Sequence, residues 1–159
     1  MKRIELIRNH PVFIRELDRL AIHEKDRPFC GHDMQHLLDV ARIAWILVLE
    51  NNISLKKDIV YAAALLHDIA KGMQYEGAGP HNINGAEMAR PILKDCGYSE
   101  KECDLICEAI LYHRVKAKSG NPLVRILYKA DKKSRACYMC PAAKDCNWPD
   151  EKKTSKLNY

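Results

Sequence analysis

The sequence predicts an all-α fold, and three observations predict it. Apolar residues recur at helical spacing along most of the chain. Capping signals stand at the starts of those periodic segments, and no stretch alternates like a half-buried strand. With 159 residues, 47% hydrophobic and 30% charged, the chain is long enough for one full-sized core.

A first helix is expected after His10-Pro11, running to about His23. A second, capped by Asp33, carries Leu37, Val40, Ala41, Ala44, Leu47 and Val48 on one face and ends at Asn51-Asn52. Ser54 is placed to cap a third, from Leu55 to about Lys71, rich in Ala and Leu and stopped by Gly72. Gly72 to Pro80 holds three glycines and a proline, so it reads as a loop, too short to form a large lid. A fourth helix follows from about Asn82 to Cys96 with Gly97 as its stop, and Pro91 inside it predicts a kink or a break. Ser99-Glu100-Lys101-Glu102 is a capping box that opens a fifth helix through Arg114. Asn121-Pro122 joins an N-cap to Pro at the first helical position and opens a sixth, past Asp131 toward Arg135. The composition then changes to Cys137, Cys140, Cys146, Trp148, Pro149 and a Lys-rich tail. The expected organisation is a compact single-domain bundle over 1–135, with a short cysteine-bearing appendix over 136–159 packed on it.

The net charge of +5 suits an anionic substrate but is too dispersed to argue nucleic acid. Met1-Lys2-Arg3-Ile4-Glu5 does not lead into an apolar h-region, and Ala41 to Leu49 is too short to span a bilayer. Seven cysteines without a secretory signal point to a reducing compartment, so the expected location is cytoplasmic, with thiols free or metal-bound.

Histidine and aspartate concentrate at predicted helix ends: His36, His67-Asp68, His81 and His113, with Asp131 inside the last helix. Imidazole and carboxylate donors together suit divalent transition metals, in sites that keep positions open for water. Each residue alone has a blander reading. A single His at a helix end is ordinarily a cap, and an Asp within Lys129-Ala130-Asp131-Lys132-Lys133 is ordinarily part of a solvated face. The argument rests on the combination and its order.

That order, His36-x-x-x-Val40-x-x-x-Ala44, then Leu65-Leu66-His67-Asp68-Ile69-Ala70-Lys71, then Ala130-Asp131-Lys132, resembles the HD superfamily of metal-dependent phosphohydrolases over roughly residues 30–135. The resemblance implies that the bundle is of the HD-domain type and that His36, His67, Asp68 and Asp131 are metal ligands, Asp68 able to bridge two metals. His81-x-x-x-Gly85-Ala86-Glu87 and His113 are similar to the two extra histidines of subfamilies with a two-metal centre, which include symmetrical dinucleoside tetraphosphate hydrolases and cyclic-nucleotide phosphodiesterases. The tract after Asp131 departs from that of the tetraphosphate hydrolases. By this resemblance the chain is an enzyme that cleaves a phosphate ester or anhydride, of a nucleotide by first choice, through a metal-activated hydroxide. One or two divalent ions are implied, iron first, then manganese, nickel, magnesium or zinc. Lys71, one turn beyond His67, is the phosphate contact of the His-Asp-x-x-Lys pattern and, with Asp68, the expected catalytic pair. Arg114, Lys132 and His32 are further candidates for the substrate phosphate.

His32-Asp33-Met34-Gln35-His36 is superficially similar to the H-E-x-x-H motif of zinc proteases. The protease reading fails because Asp33 stands where an N-cap is wanted and His67, Asp68 and Asp131 go unexplained.

Cys137, Cys140 and Cys146 have metal-ligand spacing but number only three. If His36 and Asp131 share a metal, Cys30, six residues before the one, lies near Cys137, six after the other. The four can then form a thiolate site for zinc or an iron–sulfur cluster, against the alternative of free thiols in a polar tail. Cys96, Cys103 and Cys107 read as core.

Two other functions compete: a regulatory module that binds a nucleotide without turnover, and a small nucleic-acid-binding protein built on the cysteine site with Lys152-Lys153 and Lys156. The full His/Asp set disfavours the first, and the scarcity of aromatics near the basic tail disfavours the second. No membrane partner is expected, and the sequence is silent on oligomeric state.

Overall fold

The structure is a computed structural model that describes residues 1–115, 120–157 and 159. Its elements are α1 (Lys2–Arg8), α2 (Pro11–Glu24), α3 (Met34–Glu50), α4 (Lys57–Leu66), α5 (Lys71–Tyr75), α6 (His81–Asp95), α7 (Glu100–Tyr112) and α8 (Pro122–Lys133). Single 3₁₀ turns follow at Cys137–Met139 and Asp150–Lys152, and there is no strand among the described residues. No helix among them is long and apolar enough to cross a membrane.

The architecture is built around α4. Ile59, Val60 and every residue from Ala62 to Leu66 are buried, because α1, α3, α7 and α8 all pack against it. The run of three alanines, Ala62 to Ala64, lets the neighbouring helices approach closely on several sides. Helix α3 lies along both α4 and α8, and α7 along α4, α6 and α8. Arg3 fastens α1 to this core through Asp58 Oδ2 at 2.6 Å and Glu102 Oε2 at 2.8 Å, its guanidinium lying over the Tyr98 ring.

The caps that were legible in the sequence hold. Asp33 accepts from the His36 amide at 2.9 Å, Ser99 and Glu102 form the reciprocal capping box, and Asn121 accepts from the Leu123 amide at 2.9 Å with Pro122 at the first position. Gly97 has φ of +79°, the left-handed stop expected after α6.

Four expectations are corrected. Residues 2–8 form a helix not foreseen, since its charges mask two buried isoleucines, Ile4 and Ile7. The third predicted helix begins at Lys57 with Lys56 as N-cap, leaving Ser54 exposed and outside it. It also ends at Leu66 rather than Lys71: Ile69 and Lys71 donate three residues back, to Leu66 and Asp68, so the α-helical ladder is broken there. The expected Gly72–Pro80 loop is half helix. Gly72 lies within α5, where a Cβ would come 2.9 Å from Cγ of Arg19, so glycine serves close packing on α2 rather than a stop. Helix α6 runs on through the exposed Pro91 to Asp95 and does not break.

Asp33→Ala removes the acceptor for an N-terminal amide of α3. We expect it to lower the unfolding free energy by about 1 kcal/mol in denaturant titration.

Candidate metal centre

The break after α4 has a chemical consequence. Successive residues of a regular helix point about 100° apart, yet the side chains of His67 and Asp68 meet on one buried centre, with Nε2 of His67 3.1 Å from Oδ2 of Asp68. Helix α3 brings His36 and α8 brings Asp131, whose Oδ1 lies 3.5 Å from Nε2 of His36 and 3.8 Å from Nε2 of His67. Nε2 of His36 is 3.7 Å from Oδ2 of Asp68.

The other carboxylate oxygen of Asp68 faces a second group. Its Oδ1 lies 3.0 Å from Nε2 of His81, at the start of α6, and 3.5 Å from Nε2 of His113, just past α7. Among the described residues, the sets of three or more donors mutually within 4.8 Å are His36, His67, Asp68 and Asp131, and Asp68, His81 and His113. All six residues expected from the sequence therefore converge, with Asp68 common to both groups. The Pro91 in α6 does not turn His81 away.

The imidazoles are oriented from behind. Nδ1 of His67 donates to the Ala64 carbonyl at 2.7 Å, Nδ1 of His113 to the Ile110 carbonyl at 2.6 Å, and Nδ1 of His81 to Gln74 Oε1 at 2.6 Å. Nδ1 of His36 lies 3.2 Å from the Ser134 hydroxyl, which donates to the Asp131 carbonyl. Each pairing leaves Nε2 facing the centre, the arrangement of metal-ligating histidines. Nε2 of His67 is fully buried and has no hydrogen-bond partner, an orphan that a cation would satisfy. The donor set, four imidazoles and two carboxylates in two groups, fits a pair of divalent transition ions.

Electrostatics agree. Burial opposes charge on His67, but Asp68 and Asp131 outweigh it and raise its pKa to about 10. Burial pushes His36 and His81 down to about 4. Against their own burial, Asp68 and Asp131 are both held well below the usual carboxylate range, chiefly by the nearby His67.

The cleft above this centre is lined by Lys71, His32, Arg114 and Lys132, all four expected, and by Arg27, Arg135, Lys152, Phe29 and Trp148. Four contributors were not foreseen. Glu24 holds His32, accepting from its amide at 2.7 Å and from its ring, which leaves Nε2 of His32 3.9 Å from Asp68. Arg135, 7% exposed, donates to His36 Nε2 at 3.1 Å and to the Gly31 carbonyl at 2.7 Å, so loading a metal on His36 requires it to yield the first bond. Gln74 and Ser134 orient His81 and His36. The only sequence signal for these four was position, each a turn or less from a helix end or motif.

The expected four-thiolate cage for a single ion is not formed: no three thiols belong to a set within 4.8 Å among the described residues. Cys30, Cys137 and Cys146 do line the same cleft, and Cys140 does not. Cys96, Cys103 and Cys107 are buried, as expected.

Metal must displace the His67 proton, whereas His36 and His81 are already neutral and both carboxylates ionised near neutral pH. Affinity at the His36–His67–Asp68–Asp131 group is therefore expected to rise about tenfold per pH unit between about pH 5 and 9 as one proton is released. Calorimetric titration with Mn²⁺ across that range checks it, and His67→Ala removes the slope along with most of the binding.

A family model for the HD domain matches residues 34–136. The chain is 45% identical to an uncharacterized protein of Clostridium beijerinckii over 159 residues, covering all of both. It is 32% identical over 127 residues to ribonuclease Y of Pelobacter propionicus and 34% identical over 128 residues to ribonuclease Y of Fervidobacterium nodosum. Each of these matches covers 80% of the chain but only 22% of the ribonuclease. No solved structure matches. The chain belongs to the HD domain family.

Proposed function

We propose that the chain is a metal-dependent phosphohydrolase that cleaves a phosphate ester or anhydride of a nucleotide. The observation that carries this reading is Asp68, shared by two donor groups at the floor of a cation-lined cleft. That cleft, about 410 Å³, is the size of a small-molecule site. Divalent ions held at the two groups would activate water at neutral pH and neutralise charge on phosphoryl oxygens.

The chain's own residues then have separable tasks. Lys71 projects into the cleft from the start of α5 and supplies positive charge to the transferring phosphoryl group. Burial lowers its pKa, with Asp68 opposing that shift. Arg114 and Lys132 flank it and hold the remaining phosphates. His32 is the proton donor to the leaving oxygen: Glu24 fixes one ring nitrogen and leaves Nε2 toward the cleft. Burial works against charge on Glu24, yet the His32 hydrogen bond holds its pKa at about 2, so the carboxylate that orients the His32 ring stays ionised. Phe29 and Trp148, half-buried in the wall, offer faces for a nucleobase.

The ribonuclease Y relatives favour one variant of this reading, with the phosphodiester of a short RNA as substrate. The size of the cleft favours a free nucleotide. The intact donor set disfavours the reading as a binding module without turnover.

Turnover of nucleoside phosphates, dinucleoside polyphosphates and end-labelled RNA is to be measured with iron, manganese, nickel, magnesium and zinc. Asp68→Asn is expected to abolish it, and Lys71→Ala to lower kcat about 10²–10³-fold. His32→Gln is expected to lower kcat about 10²-fold with little change in KM. Nucleotide binding without turnover under every metal would contradict the hydrolase reading and favour the regulatory one.

A further inference from the structure

Residues 136–157 pose a problem of order. None of them is buried, and their regular structure is two single 3₁₀ turns. Met139 is 76% exposed and Leu157 75%, so the segment has no apolar core of its own. A chain piece this short needs a cross-link or a metal when burial cannot order it. The Thr154 hydroxyl, which donates to the Lys132 carbonyl at 3.0 Å, and the Lys132 ammonium, 5.2 Å from the centre of the Trp148 ring, tie it to the bundle, and within the segment the Tyr138 amide donates to the Thr154 carbonyl at 3.1 Å.

Cys137, Cys140 and Cys146 are half-buried, while Tyr138 and Met139 between the first two are exposed. Cys30 comes to meet them. Arg135, two residues before Cys137, donates to the carbonyl of Gly31, beside Cys30, and Arg27 donates to the Cys30 carbonyl itself at 3.0 Å. Cys30, Cys137 and Cys146 line one cleft, and none of the four is in a disulfide.

From this placement we propose that Cys30, Cys137, Cys140 and Cys146 hold an iron–sulfur cluster, which pins the C-terminal segment over the HD centre and forms one wall of its cleft. Zinc is the weaker occupant on geometry. Zn–S bonds of about 2.3 Å in a tetrahedron would set the sulfurs roughly 3.8 Å apart, and no three thiols are gathered within 4.8 Å. A cluster shares its thiolates among several irons, so no three of them need lie within reach of one ion. Arg27, Lys132 and Lys152 line the same wall, and cations beside thiols favour the thiolate form that ligates.

The test is iron, zinc and acid-labile sulfide content of the full chain purified without oxygen, before and after reconstitution with ferrous iron and sulfide. The expected result is sulfide matched by an equal amount of cysteine-dependent iron, with a visible thiolate-to-iron absorption band. The sulfide, its matching iron and the band are lost in Cys30→Ser and in Cys140→Ser and kept in Cys96→Ser and His67→Ala. Helical circular dichroism and His67-dependent metal retained in Cys140→Ser show that the loss is not unfolding. Zinc without sulfide, no cysteine-dependent metal after reconstitution, or full sulfide in the Cys30 variant would each overturn the assignment.

Discussion

One buried carboxylate organises this protein. Asp68 is 4% exposed, and its two oxygens face different histidine groups, so three helices and two turns must deliver their side chains to one point. Burying a carboxylate costs several kcal/mol unless charge and hydrogen bonds compensate it. Asp131 adds a second like charge to the same pocket. The neighbouring cations Lys132 and Arg135, the proton on His67 and, when bound, the metal ions are what make that burial tolerable. The local fold answers the same demand. Helix α4 stops at Leu66, sacrificing regular α-helical bonds, so that adjacent residues His67 and Asp68 both turn inward.

Much of this could be read from the sequence because it is written in local chemistry. Asp33, the Ser99–Glu102 box and Asn121-Pro122 mark helix starts through bonds made within three residues, and all three are where sequence places them. The six metal-facing residues were legible through the order of their motifs. What was not legible depends on tertiary contact. Gly72 has the composition of a stop and the function of a packing position, because only the distant Arg19 distinguishes the two. The Ala/Leu-rich run from Leu55 to Lys71 looks like one helix, since periodicity does not register a turn that exists to aim His67 and Asp68. Glu24, Gln74, Ser134 and Arg135 act through partners up to 99 residues away, and nothing local marks them.

The site is thus layered. Imidazoles and carboxylates form the floor, backbone carbonyls and Gln74 and Ser134 hold the imidazoles from behind, and a ring of Arg and Lys surrounds the opening. The cleft is closed on one side by the segment before α3 and on another by the C-terminal segment, the two joined through Arg135 and Gly31. If the floor acts on phosphoryl groups as proposed, selection among substrates falls to these walls. The ribonuclease Y matches cover only 22% of those proteins' length.

The central claim, that Asp68 bridges two metal ions, is tested most directly by anomalous diffraction at the manganese edge from crystals grown with Mn²⁺. The account predicts two anomalous peaks, one between His36, His67 and Asp131, the other beside His81 and His113, with one Asp68 oxygen directed at each. A single peak at the first group, with His81 and His113 unligated, or metal bound away from Asp68, would contradict it.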